Sequence, residues 1–151
     1  MFDIIRCSAE PSKSGFERFF SFDTIKSRLI EAENLAAATD HKNKRSLILL
    51  RDYAIDDGAI KIIAEKKALC FLIDLSRIIR TRGVPRAIML SKLRNFLRLC
   101  VKYGAFYAFA SFAEDENKIR NASELENIAL LLDINRGQAK FALKMLKEYL
   151  Q

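Results

Sequence analysis

Three short apolar runs, Leu47–Leu50, Ala68–Leu75 and Phe106–Phe112, are separated by stretches whose apolar residues recur at helical spacing. That alternation narrows the folds open to the chain. Each run is too short for a helix and apolar throughout, as a strand buried on both faces would be. Phe2 to Cys7 is a fourth β-compatible run, and residues 8–15, with Ser, Pro, Lys and Gly, read as a loop. Ser21 or Asp23 can cap a helix to about Ala38, with Ile25, Leu29, Ala32 and Leu35 on one face. Asp56 or Asp57 opens a second, ending near Lys67, with Ile60, Ile63 and Ala64 inward. After a basic loop, Arg77–Gly83, Pro85 suits the first turn of a long helix that Gly104 terminates. Its apolar stripe is Met89, Leu93, Phe96, Leu97 and Cys100. Ser123 and Glu126 have capping-box spacing for a helix to Leu132, and a last helix spans about Arg136 to Tyr149. The resulting order, β-α-β-α-β-α-β-α-α, predicts the α/β class, with parallel strands joined by right-handed crossovers.

Charge is distributed unevenly over this framework. Between Asp74 and Glu114 there is no acidic residue, yet Arg77, Arg80, Arg82, Arg86, Lys92, Arg94, Arg98 and Lys102 all fall there. Net charge over the 151 residues is +7. A folded unit of one sign points to a polyanion, most commonly RNA or DNA. A solvated helix face beside a basic loop explains the same residues. Topology favours the first reading. Parallel α/β folds bind ligands at the carboxyl ends of their strands. Those ends carry Arg51, then Arg77 and Arg80, then the loop that reaches Arg120. Three connections thus bring arginines to one pole. The planar guanidinium holds phosphates bidentately and stacks on exposed bases.

Composition excludes other classes. Half the residues are apolar, enough for a single folded domain over 1–151 that buries roughly 70% of its unfolded surface. No apolar run approaches the roughly 18 residues of a membrane span, and the first residues lack a basic-then-apolar leader pattern, so a cytoplasmic protein with no membrane partner is expected. Cys7, Cys70 and Cys100 are far apart in apolar surroundings and read as reduced core residues. The only histidine, His41, lies in a polar stretch. A histidine-rich metal centre cannot be assembled from it, and no protein-bound metal or catalytic residue is expected.

Residues 46–149 resemble the ribonuclease P protein component 3 family, the TIM-barrel subunit of archaea and eukaryotes. Asp74-Leu75-Ser76-Arg77 resembles the family's strand-end turn Asn-Phe-Ser-Asp, and Arg86 resembles the arginine that starts its long helix. Lys102-Tyr103 resembles that helix's end. Ala110-Ser111-Phe112-Ala113 resembles the Thr-Ser-Gly-Ala end of its last strand, and Ile119 to Glu124 resembles the loop Leu-Arg-x-Pro-x-Asp. Gln138-Ala139-Lys140 matches its terminal helix, and Ile55-Asp56-Asp57 resembles its Gly-Ile-Asp-His. Phe112 stands where the family has a small residue, Ala122 where it has proline, and Asp57 where it often has histidine.

The resemblance implies a half-length TIM barrel of four strands, with its inner face and strand edges open to a second copy or another partner. It also implies a non-catalytic subunit that helps an RNA enzyme remove the 5′ leader of precursor tRNA. Partners would be ribonuclease P RNA, precursor tRNA and protein component 2, with Mg²⁺ held through the RNA and no cofactor on the protein. Arg77, Arg80, Arg82, Arg86 and Arg120, joined by Arg51, would contact RNA. Asp74, Ser76 and Ser111 would be polar strand-end residues, Ser111 hydrogen-bonding and not nucleophilic. Two alternatives remain at this point. One is a metal-dependent phosphoesterase using carboxylates such as Asp52, Asp56, Asp57, Asp74 and Glu114. The other is a stand-alone RNA- or DNA-binding protein, since Ser123–Leu132 and Arg136–Tyr149 have helix–turn–helix spacing.

Overall fold

The computed structural model describes residues 1–12 and 14–151; Lys13, inside the loop expected over residues 8–15, lies outside the described residues. The described residues form six strands: β1 (Phe2–Ile5), β2 (Arg18–Ser21), β3 (Leu29–Ala32), β4 (Ser46–Leu50), β5 (Leu69–Asp74) and β6 (Phe106–Ala110). Seven α-helices accompany them: α1 (Phe22–Ile25), α2 (Leu35–Ala38), α3 (Asp57–Lys66), α4 (Leu75–Arg80), α5 (Gly83–Tyr103), α6 (Ala122–Ala129) and α7 (Arg136–Leu150). All ladders are parallel, in the orders β1-β2 and β3-β4-β5-β6. The α/β class and the repeated parallel βα units are those the sequence predicts.

Two strands escaped the sequence pattern. The helix expected from Asp23 to Ala38 is instead one turn of α1, a 3-10 turn (Lys26–Arg28), β3 and one turn of α2. Ile25, Leu29, Ala32 and Leu35 fit helical spacing, but the backbone of 29–32 pairs in register with Leu47–Leu50. Asn34 then starts a new turn by accepting from the Ala37 N–H at 2.9 Å. The basic loop expected at Arg77–Gly83 is largely helical, because Asp74 caps α4 as soon as β5 ends. The capping box opening α6 is Asn121 with Glu124, two positions before the expected Ser123 and Glu126. Glu126 is buried and faces Arg136 at 3.7 Å.

The expected open inner face and open β6 edge are both covered. Past the end of β6, the Phe112 N–H donates to the Ile4 carbonyl (2.9 Å) and the Arg6 N–H to the Ala113 carbonyl (2.8 Å), with a parallel bridge between Ile5 and Ala113. Across this joint the strand order runs β2-β1-β6-β5-β4-β3, and among the described residues no ladder joins β2 to β3. One sheet face, with Ile48, Phe71, Ile73 and Phe109, packs under Ile60, Ile63, Phe96 and Leu125 of the helices. The other face, with Phe2, Ile4, Leu47, Cys70, Leu72 and Ala108, is closed by Met145, Leu146 and Leu150 of α7. The inner face is therefore not open to a second half-barrel, while β2 and β3 stand at the two ends of the strand order. The C-terminal end of α7 is held at the opposite pole from the strand carboxyl ends. Arg28, just before β3, donates to the carbonyls of Leu150 and Tyr149, both at 2.9 Å. Arg45, just before β4, donates to the Glu148 carbonyl at 3.2 Å.

Candidate nucleic-acid interface

At the carboxyl end of β5, Asp74 accepts from the Ser76 N–H (2.8 Å) and Ser76 Oγ (2.5 Å), which starts α4 without a loop. Its carboxyl is raised above the ordinary aspartate value by burial, against those hydrogen bonds and the nearby Arg80 and Arg77 charges. Arg77 and Arg80 then project from a single turn. Arg80 donates to Ser76 Oγ at 3.1 Å and to Glu114, just beyond β6, at 3.3 Å. Glu114 also accepts from Lys118 at 3.1 Å, and that contact, followed by the Lys118 and Arg80 charges, holds its carboxyl below the ordinary range.

Two hollows meet at Arg80. One, of about 390 Å³, is lined by Arg51, Arg77 and Arg80 facing Pro85, Ile88 and Met89. The other, of about 190 Å³, is lined by Arg80, Ser111, Lys118 and Arg120 with Ser76. Arg51, Arg77, Arg80 and Arg120, expected to converge from separate connections, are thus brought to one pole together with Ser76 and Ser111. Arg82 and Arg86 border neither hollow. Arg82 is the residue before α5 and makes no side-chain cap bond; Arg86 is half-buried, with an Nε that has no protein partner.

The arginines at this pole are held loosely. Arg51 reaches Glu33 at 3.6 Å and Glu31 only at 4.0 Å, with 70% of its side chain exposed. Exposed pairs of that length contribute little, on the order of 0–1 kcal/mol. Among the described residues, no side-chain hydrogen bond or ion pair engages the guanidinium of Arg77 or Arg120. By contrast, Arg94 on the flank of α5 is committed internally: its Nε donates to the Leu131 carbonyl at 2.8 Å and lies 3.7 Å from Asp133. Among the described residues, no three His, Cys, Asp or Glu side chains are grouped to hold a metal ion.

Sequence reasoning missed two features. Arg6, at the carboxyl end of β1, brings a fourth connection to the same pole, its guanidinium 3.8 Å from the Phe22 ring centroid and 5.6 Å from that of Phe112. Its place near the carboxyl end of the β-compatible run Phe2–Cys7 was the available signal. The second is Asp3, fully buried on β1. It accepts from the Ser111 N–H (2.7 Å), Ser111 Oγ (2.5 Å) and the Ile4 N–H (2.8 Å). Desolvation outweighs those bonds and pushes its carboxyl up to about 6. Asp3 occupies the Ser111 hydroxyl, and no sequence pattern ties residues 108 positions apart. Beside it, Phe112 has a φ of +49°, a left-handed backbone that bulky residues rarely adopt. This is the position where the resembled motif has glycine.

No protein-family model matches the sequence, and no curated protein matches it. The structure does find a counterpart. A chain in the cryo-EM structure of archaeal ribonuclease P with mature tRNA shares this fold, with a TM-score of 0.68 and 15% sequence identity. The match covers 97% of this chain and 78% of that one. It therefore reaches well upstream of residue 46, where the sequence resemblance began. At this identity the likeness is one of fold.

Proposed function

We propose that this chain is a non-catalytic, RNA-binding protein subunit of ribonuclease P, supporting 5′-leader removal from precursor tRNA by the catalytic RNA. The observation that carries the reading is the convergence of Arg6, Arg51, Arg77, Arg80 and Arg120, from four connections, on one pole of a fold shared with a chain of archaeal ribonuclease P. Clustered guanidiniums with unspent donors neutralise phosphates and release counterions. Neutralising phosphate where RNA strands approach closely lowers their mutual repulsion, so folding of the RNA needs less Mg²⁺. In this reading the metal sits on the RNA, and the partners are ribonuclease P RNA, precursor tRNA and protein component 2. Arg82 and Arg86 extend the same positive field along the start of α5.

The test is cleavage of precursor tRNA by the cognate ribonuclease P RNA with component 2, with and without this chain, at low Mg²⁺. Stimulation that requires the chain is the expected result, and its loss in Arg80→Ala with Arg120→Ala would tie it to this pole. No stimulation by a protein that circular dichroism shows to be folded would overturn the reading.

A further inference from the structure

The two hollows that meet at Arg80 differ in kind. The smaller, about 190 Å³, lies below the roughly 300–1,000 Å³ typical of ligand sites and is too small for a nucleotide, although Ile79, Phe112 and Ala113 also line it. The larger, about 390 Å³, lies within that range and has two unlike walls. One wall presents Arg51, Arg77 and Arg80; the other, from the first turns of α5, presents Pro85, Ile88 and Met89, and the Asp52–Lys92 ion pair (3.1 Å), whose charges offset each other, also borders the hollow. Ile88 is 54% exposed and lines this hollow, so its apolar surface faces the space a ligand would fill. A paired, A-form backbone offers phosphates and 2′-hydroxyls to a protein and has no use for an aliphatic wall. A nucleotide out of its helix has both a charged phosphate and an apolar base face.

From this, and resting on the RNA-binding reading above, we infer that the larger hollow takes one unpaired nucleotide of a structured RNA. Its base lies against Ile88, Met89 and Pro85, and its phosphate lies between Arg77 and Arg80. Arg77 has donors free for that phosphate among the described residues, and Arg80 can swing to it from its exposed pair with Glu114. The pole thus reads where an RNA helix is interrupted, not a base sequence.

The experiment is fluorescence anisotropy of the full chain, at one fixed salt concentration, with three RNA probes. These are a blunt duplex, the same duplex with a single-nucleotide bulge, and that bulge made abasic. The expected result is that the bulged duplex binds about tenfold tighter than the other two, as one base face is worth about 1–3 kcal/mol. In Ile88→Ser the ratio of bulged to blunt affinity falls toward one. In Val101→Ser, which alters an equally exposed residue near the far end of α5 (51%), it stays at its original value. Equal binding of all three probes by the unaltered protein would overturn the nucleotide hollow while leaving RNA binding intact. No binding of any probe would overturn both readings. Displacement of the bulged RNA by millimolar free nucleoside 5′-monophosphate would instead identify a mononucleotide as occupant and sink the RNA version.

Discussion

Arginines stand at both ends of the parallel strands, and they are used in opposite ways. At the amino-terminal pole, Arg28 and Arg45 place three donated hydrogen bonds on the last carbonyls of α7. There the guanidinium completes a helix end whose carbonyls have no intrahelical partner. At the carboxyl-terminal pole, Arg77 and Arg120 have no such bond among the described residues, and Arg51 and Arg80 have long or exposed ones. The residue type and the exposure are alike; what differs is whether the donors are already committed. A binding surface is recognised by unspent hydrogen-bonding capacity, because counting positive charges alone does not separate a committed guanidinium from a free one.

The contrast predicts that changes at the first pole move stability and changes at the second move binding. The largest effect is expected from Leu146→Ala, which hollows the contact between α7 and the inner sheet face. It should cost about 2–5 kcal/mol in denaturant unfolding, with the RNA affinity of the folded fraction unaltered. Asp3→Asn tests the buried joint between β1 and β6. Burial pushes the folded carboxyl up to about 6 from the ordinary aspartate value of 3.8 that it has when unfolded, so the folded state gains protons and stability as pH falls through that window. Relative to wild type, the Asn variant should therefore be more stable at about pH 7.5 than at about pH 4.5, by on the order of 2 kcal/mol in paired melts. A gap that does not change with pH would mean the carboxyl is not desolvated as described.

Smaller again is Arg28→Ala with Arg45→Ala, expected to lower stability by about 1–2 kcal/mol, since the bonds are charge-assisted but largely exposed. Weaker RNA binding in that double variant would break the division between poles. Smallest in stability is Arg80→Ala with Arg120→Ala, within about 0.5 kcal/mol of wild type. The same pair should flatten the slope of log affinity against log salt by about 2. An unchanged slope would remove the binding pole altogether.

The sequence made the centre of the molecule legible and obscured its margins. β4, α3, β5, α5, β6 and α7 follow from apolar runs and helical stripes long enough to carry one period. β3 did not, since four residues with Leu29 and Ala32 three apart satisfy a helix as well as a strand, and only pairing with β4 decides. β2 alternates too briefly to register. The convergence of Arg51, Arg77, Arg80 and Arg120 was readable because parallel topology alone dictates it. That Arg82 and Arg86 fall outside the hollows depends on the orientation of α5, which its buried stripe of Leu93, Phe96, Leu97 and Cys100 holds against the core. Asp3 was invisible because its meaning lies wholly in Ser111.

That last joint also sets an order of events during synthesis. Asp3 and Ser111 are 108 residues apart, so β1 emerges from the ribosome long before the strand that completes it. Until then a carboxylate destined for burial faces water, and the β1–β2 pair is too small to persist alone. Joining of β1 to β6 is therefore a late step of high contact order, slower than assembly of the local β4-α3-β5 unit. A nascent chain arrested before residue 111 should expose its first twenty residues to protease while that unit is already protected.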